Sequence, residues 1–258
     1  MKRDFAFNGK GGEFFSLILV QGILCGITFG IYAPWAMVKI RKYMAENLTL
    51  EGKPFDFDGN GGELFSLLFV QGLLCAITFG IYYAWAIIKV VKYLVEHTSY
   101  DEKHFEFSGE GSKFFSIFFV QFLLIGITFG IYTPWAMIKI YGYLLEETSY
   151  DGVSFGLTAD GGKLFCLLLG QYLLSCLTLG IYAPWAIIKI YGYLAENVTY
   201  GTDESFKFAA EGGKLLSLMI KGGLLSIITF GIYYAWFEME IYRFLAAGFS
   251  LEKRDEAA

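Results

Sequence analysis

A segment reading T-F-G-I-Y-x-x-W occurs five times in this chain, starting at Thr28, Thr78, Thr128, Thr178 and Thr229, with Leu179 in place of the phenylalanine in the fourth copy. The spacings are 50, 50, 50 and 51 residues. A fixed period of this length means that one supersecondary unit is used repeatedly and buries its apolar face only against its neighbours. The chain reads as one domain, residues 1–258, of five repeats at approximately 1–50, 51–100, 101–150, 151–200 and 201–258.

Each unit has three parts. Leu48-Thr49-Leu50, a turn at Glu51-Gly52-Lys53-Pro54 and Phe55-Asp56-Phe57 alternate apolar and polar residues across a glycine, which predicts a short β-hairpin. Its later copies are Thr98–Phe107, Thr148–Leu157 and Val198–Phe208. A first helix is expected at about Gly12 to Phe29 and a second at about Pro34 to Asn47, with Pro34 suited to a helix start. A glycine stands between them in every copy (Gly30, Gly80, Gly130, Gly180, Gly231), as a helix C-cap or tight turn requires.

Composition then places the unit. Charged residues make up 17% of the chain, against about 25% in soluble domains. Phe14–Val38, Leu64–Ile88, Phe114–Ile138 and Leu164–Ile188 contain no charge at all. Lysine and arginine outside these runs gather at the hairpin end, and the T-F-G-I-Y turns carry none. Two crossings per unit would keep every charged hairpin on one side, which the positive-inside rule makes cytoplasmic. The expectation is therefore a mostly α membrane protein of five transmembrane helical hairpins, with both termini cytoplasmic. Phe29, Tyr32 and Trp35 fit an aromatic belt at the bilayer interface. Met1-Lys2-Arg3-Asp4 leads into a strand pattern rather than a cleavable signal. Cys25, Cys75, Cys166 and Cys176 lie within apolar helical runs and read as small buried hydrophobes.

Phe5-Ala6-Phe7 is the second strand of a hairpin, and Phe249-Ser250-Leu251 is a first strand. Pairing the two antiparallel would close a ring of approximate five-fold symmetry and remove the exposed strand edges. The competing arrangement pairs them between two chains.

The run Phe5-Ala-Phe-Asn-Gly-Lys-Gly-Gly-Glu, then Ile27-Thr-Phe-Gly-Ile-Tyr-Ala-Pro-Trp-Ala, then Lys42-Tyr43 and Leu50-Glu-Gly-Lys-Pro-Phe-Asp-Phe, resembles the YjgN-like family. These are bacterial multi-pass inner-membrane proteins of unknown function. The resemblance covers every repeat; it implies an inner-membrane location and supplies no mechanism.

Three sets of residues could carry function. Lys39, Lys89, Lys139 and Lys189 occupy equivalent positions on the second helix, with Glu240 in the fifth unit. Facing the axis they would form a polar ring able to attract an anion; facing outward they would snorkel to lipid headgroups. Gln21, Gln71, Gln121 and Gln171 repeat in the middle of the first helix, and Gln21, Cys25 and Thr28 share one face. Such a stripe glues membrane helices together or lines a wet path. Lys221 breaks the pattern of Val20, Val70, Val120 and Gly170, while Glu238 and Glu240 arrive on the neighbouring helix, which predicts a compensating ion pair.

Other chemistry is weakly signalled. Gly9-Lys10-Gly11-Gly12-Glu13 lacks phosphate-loop spacing. His97 and His104, the two histidines, flank one hairpin and make a poor metal set. No nucleophile–base set recurs, so no enzyme and no cofactor are expected. No basic stripe points to nucleic acid, and the net charge is −5. Two functions remain: a membrane scaffold or accessory subunit whose cytoplasmic hairpins dock a protein partner, or a passive pore or anion transporter along the five-fold axis.

Overall fold

The computed structural model describes residues 2–253. β1 (Lys2–Phe7) leads into α1 (Gly11–Ile27) and α2 (Ala33–Asn47). β2 (Leu48–Leu50) and β3 (Lys53–Phe57) then feed α3 (Gly61–Ile77) and α4 (Tyr83–Glu96). The third unit comprises β4 (Thr98–Tyr100), β5 (Lys103–Phe107), α5 (Gly111–Ile127) and α6 (Thr133–Glu146). The fourth comprises β6 (Thr148–Tyr150), β7 (Val153–Leu157), α7 (Gly161–Leu177) and α8 (Ala183–Glu196). The fifth comprises β8 (Val198–Tyr200), β9 (Glu204–Phe208), α9 (Gly212–Ile228) and α10 (Tyr234–Gly248), and β10 (Phe249–Lys253) follows.

The strands form one closed antiparallel barrel in which sequence neighbours pair and β10 returns to β1. Closure occurs within one chain, between Lys2–Asp4 and Ser250–Glu252. It does not use Phe5–Phe7, which pairs with Leu48–Leu50 of β2, so the expected register against Phe249–Leu251 is corrected. The six residues of β1 serve two neighbours, its first half closing the barrel and its second half pairing with β2.

The expectation of membrane-spanning helices is overturned. No helix among the described residues is long and apolar enough to cross a membrane. The first helix of each unit has 17 residues, for example α1, and α4, α6 and α8 have 14. At 1.5 Å per residue these lengths are about 21–26 Å, short of a hydrocarbon core of about 30 Å. The repeated turn splits each uncharged run between two helices, as Gly30 and its equivalents led one to expect, and neither helix is long and apolar enough alone. Phe29 takes a left-handed φ of 49° and Gly30 one of 87°. Phe29 N–H then donates to Gly26 O at 3.2 Å and Gly30 N–H to Cys25 O at 2.8 Å, a Schellman closure of α1. Thr28 completes it: Oγ1 donates to the Leu24 carbonyl at 2.7 Å and accepts from Tyr32 N–H at 3.1 Å. Thr28 thus serves the turn.

Neighbouring units lock together through the motif tryptophans. Trp35 lies so close over Gly61 that a Cβ there would stand 2.3 Å from the indole, and Trp35 also stacks on Phe65 at 5.3 Å. Trp236 repeats this on Gly11 and Phe15 of the first unit, so the helical layer closes by the joint used between every other pair. The tryptophans are packing residues between units. The tyrosines clasp the same region: Tyr43 OH accepts from Lys10 N–H at 2.8 Å and donates to Lys10 O at 3.0 Å, and Tyr143 repeats this with Glu110. Cys25 and Cys75 are half-buried, but Cys166 and Cys176 are exposed, against expectation, and all four are free.

Candidate functional site

The inward positions of the second strands build the feature on the axis. Phe5, Phe55, Phe105, Phe155 and Phe206 recur with the repeat period, and alternation along each strand turns them to one face. Their rings follow one another at centroid distances of 6.5, 6.4, 6.2, 6.4 and 6.1 Å, the last joining Phe206 to Phe5. Five phenyl rings therefore close a circle around the axis. A second tier is built by tyrosines: Tyr100, Tyr150 and Tyr200 donate to the carbonyls of Leu50, Tyr100 and Tyr150 at 2.9, 2.8 and 3.0 Å. Burial pushes the three phenols above their usual pKa. Two cavities touch the phenyl circle and share Phe5, Phe55 and Phe206: one of about 260 Å³ with the tyrosine tier, and one of about 550 Å³ reaching α2 and α10.

The barrel rim is charged. Arg3 pairs with Glu204, Lys53 with Asp101 at 2.7 Å and Lys103 with Asp151 at 2.6 Å. Hydrogen bonds to these aspartates raise both lysines, which otherwise lie in solvent.

The lysines singled out in the sequence line neither of the two cavities at the phenyl circle. Met37, Arg41 and Met44 of α2 line the axial cavities, and Lys39 stands two residues from both Met37 and Arg41, about 200° around the helix. Lys39, Lys89, Lys139 and Lys189 are exposed, and three of them lie over Tyr32, Tyr82 and Tyr182 at 5.9, 6.0 and 5.7 Å. Gln21, Gln71, Gln121 and Gln171 are buried, each with an unpartnered Oε1. The fifth unit has Gly222 there, and Phe237 fills the space where the other units have Ala36, Ala86, Ala136 and Ala186. Lys221 Nζ donates to both Glu240 oxygens at 2.9 and 3.1 Å. Glu238 takes no part in that pair, and burial raises its carboxyl. His97 and His104 both approach Asp58, at 2.7 and 3.9 Å, but no three ligand-type side chains among the described residues could hold a metal ion.

Arg41 escaped the sequence reading. Its signal was a break in the repeat, because the equivalent residues are Val91, Tyr141, Tyr191 and Tyr242. Its guanidinium lies 5.6 Å over the Phe57 ring, and partial desolvation there lowers its pKa, although the residue as a whole stays exposed. No carboxylate among the described residues pairs with it.

Inner membrane protein YjgN of Salmonella typhimurium is 57% identical over 49 residues, 19% of this chain and 12% of that protein. Inner membrane protein YjgN of Escherichia coli K12 is 38% identical over 52 residues, 20% of this chain and 13% of that protein. The chain thus spans about an eighth of the length of these curated relatives. No solved structure matches. The family described as "Bacterial protein of unknown function (DUF898)" matches at residues 2–66, 53–111, 102–171, 133–205 and 162–217. With matches that together cover residues 2–217, the chain belongs to this YjgN-like bacterial family of unknown function.

Proposed function

We propose that the protein is a bacterial inner-membrane protein whose helical layer is immersed in lipid from one side while the barrel stays in water. One observation carries this reading. Phe29, Phe79, Phe129 and Phe230 are each 97% exposed and Leu179 is 93% exposed, all at left-handed φ near 50°. A left-handed conformation costs a side-chain-bearing residue about 1–2 kcal/mol, and strain held at the same place in every unit marks function. Moving such a side chain out of water returns about 1.5–3 kcal/mol. Ile31, Ile81, Ile131, Ile181 and Ile232 widen each tip, and Leu19, Ile23 and Ile27 carry the apolar surface along α1. An apolar surface of this extent on a water-soluble monomer would be unusual. The names of the YjgN relatives support the same location.

The barrel rim is then the face for a protein partner, on the cytoplasmic side, and the protein acts as a scaffold rather than an enzyme. Flotation with vesicles of phosphatidylethanolamine and phosphatidylglycerol tests the anchoring. The wild type floats, and a variant with all five tip residues (Phe29, Phe79, Phe129, Leu179, Phe230) changed to Asn stays in the soluble fraction. Flotation of that variant sinks the reading.

A pore along the axis has one observation in its favour, the cavities on the two sides of the phenyl circle. A hydrophobic constriction of this kind gates by dewetting. Solute flux into proteoliposomes that rises when Phe5, Phe55, Phe105, Phe155 and Phe206 become Ala would support it, and flux unchanged from empty vesicles would exclude it.

A further inference from the structure

We propose that the cavity at Arg41 is a binding site for an amphiphile, an anionic headgroup on a single hydrocarbon chain. The inference rests on the asymmetry of one position and goes beyond the anchoring of the protein in lipid. Four units place valine or tyrosine on this axial face, and only the first places a cation. The Arg41 side chain sits where two cavities meet, of about 550 and 380 Å³, both within the range of about 300–1,000 Å³ typical of ligand pockets. The larger is otherwise lined mainly by apolar side chains, with Thr98 and Tyr242 adding hydroxyls: Phe5, Phe55 and Phe206 floor it, and Met44, Leu48 and Leu245 form part of its wall. Arg41 stands exposed at the junction of these cavities, and an arginine fork holds a carboxylate or phosphate with two parallel hydrogen bonds.

The surrounding charges do not satisfy it. Glu240 is engaged by Lys221, and Glu204 by Arg3. Glu238, four residues before Tyr242 on α10, makes no ion pair with Arg41. With no carboxylate of the described residues on it and its side chain exposed, the guanidinium is open to an anion from outside. The phenyl floor and the aliphatic wall suit a hydrocarbon tail, whereas a small inorganic ion would leave that apolar volume unfilled. The headgroup chemistry is shared by a free fatty acid and by a lysophospholipid.

Photolabelling in phosphatidylcholine nanodiscs tests the site, with a diazirine-tailed oleate as the probe. The wild type is labelled on residues lining the larger cavity, Met44 and Phe249 among them. Arg41→Met lowers labelling roughly tenfold to a hundredfold, the loss expected for a hydrogen-bonded charge, and Arg41→Lys retains part of it. Unlabelled oleate competes and oleyl alcohol does not. Should Arg41→Met fail to fold, Ala45→Phe fills the cavity with the charge kept and abolishes labelling. Equal labelling of wild type and Arg41→Met, or equal competition by the alcohol, overturns the proposal. Mass spectrometry of lipid retained by the wild type over Arg41→Met tells the sources apart: fatty acid or lysophospholipid enrichment names one, and no enrichment overturns the site. Flotation with vesicles is unaffected by Arg41→Met, so failure here is separable from failure of the anchoring.

Discussion

The fifth unit shows how single residues carry compensation through a repeat. A Cβ on Gly222 would stand 1.9 Å from the Phe237 ring, so the pair has exchanged Gln and Ala for Gly and Phe. Phe237→Ala alone should cost about 3–5 kcal/mol by leaving a cavity. Adding Gly222→Gln rebuilds the pattern of the other units and should recover part of the loss in a denaturant titration. A double variant no more stable than Phe237→Ala would show that the exchange is incidental. Glu238 makes a second test with a defined sign. Burial raises its carboxyl, so the folded state binds this proton more tightly than the unfolded state. Its stabilising contribution is full below the unfolded carboxylate pKa and is lost as pH rises through the folded value. Glu238→Gln should raise the melting midpoint at pH 8 and change it little at pH 4. These exchanges were legible in the sequence as breaks in the period, and the Lys221–Glu240 contact follows from counting outward from the turn. The partnering of Arg41 was not legible, because a single cation on one helix does not reveal what the other helices bring to the axis.

At the scale of the element, the helical hairpin sets length against strain. The Schellman closure at Phe29 stops α1 after Ile27 and prevents a full span, although the uncharged run continues to Val38. Asparagine tolerates the left-handed region better than phenylalanine. Phe129→Asn should therefore raise the unfolding free energy in water by up to about 1 kcal/mol while weakening vesicle binding. A loss of stability in water would show that the exposed ring packs on something in the folded chain. The glutamines make a related case. Gln121 is 3% exposed with an orphan Oε1, so Gln121→Met removes an unsatisfied group at similar volume. A gain of about 1 kcal/mol is expected; a loss would show that the oxygen has a bound partner. The sequence presents these residues as a polar stripe, but only the packing of α1 against α2 distinguishes a buried stripe from a wet one.

For the whole molecule, closure is the decisive feature. The barrel and the helical layer both close between the first and last units, through Lys2–Asp4 with Ser250–Glu252 and through Trp236 on Gly11. Arg3→Cys with Leu251→Cys, in a background with the four native cysteines replaced, should form a disulfide within one chain, since these positions are direct cross-strand partners. Non-reducing electrophoresis would show a compacted monomer, and a covalent dimer would mean that the strands exchange between chains. Closure also brings five equivalent side chains together on the axis, where a single departure such as Arg41 has no symmetry mate.

The repeat, the hairpins, the pair of helices per unit and the closing strands were all determined by the sequence, because they depend on local periodicity and on the half-hairpins left at the first and last units. The helix ends, the register of closure, the exposure of Lys39 and its equivalents, and the phenyl circle were decided by the tertiary structure. The physical reason is that hydropathy reports what a segment avoids without reporting its direction. Phe14–Val38 showed its turn at Gly30 in the sequence, but only the structure showed that neither helix beside the turn is long and apolar enough to span a bilayer. The lysines and phenylalanines share one period, and only the rotation of each element about its own axis sends the phenylalanines inward and leaves the lysines at the surface.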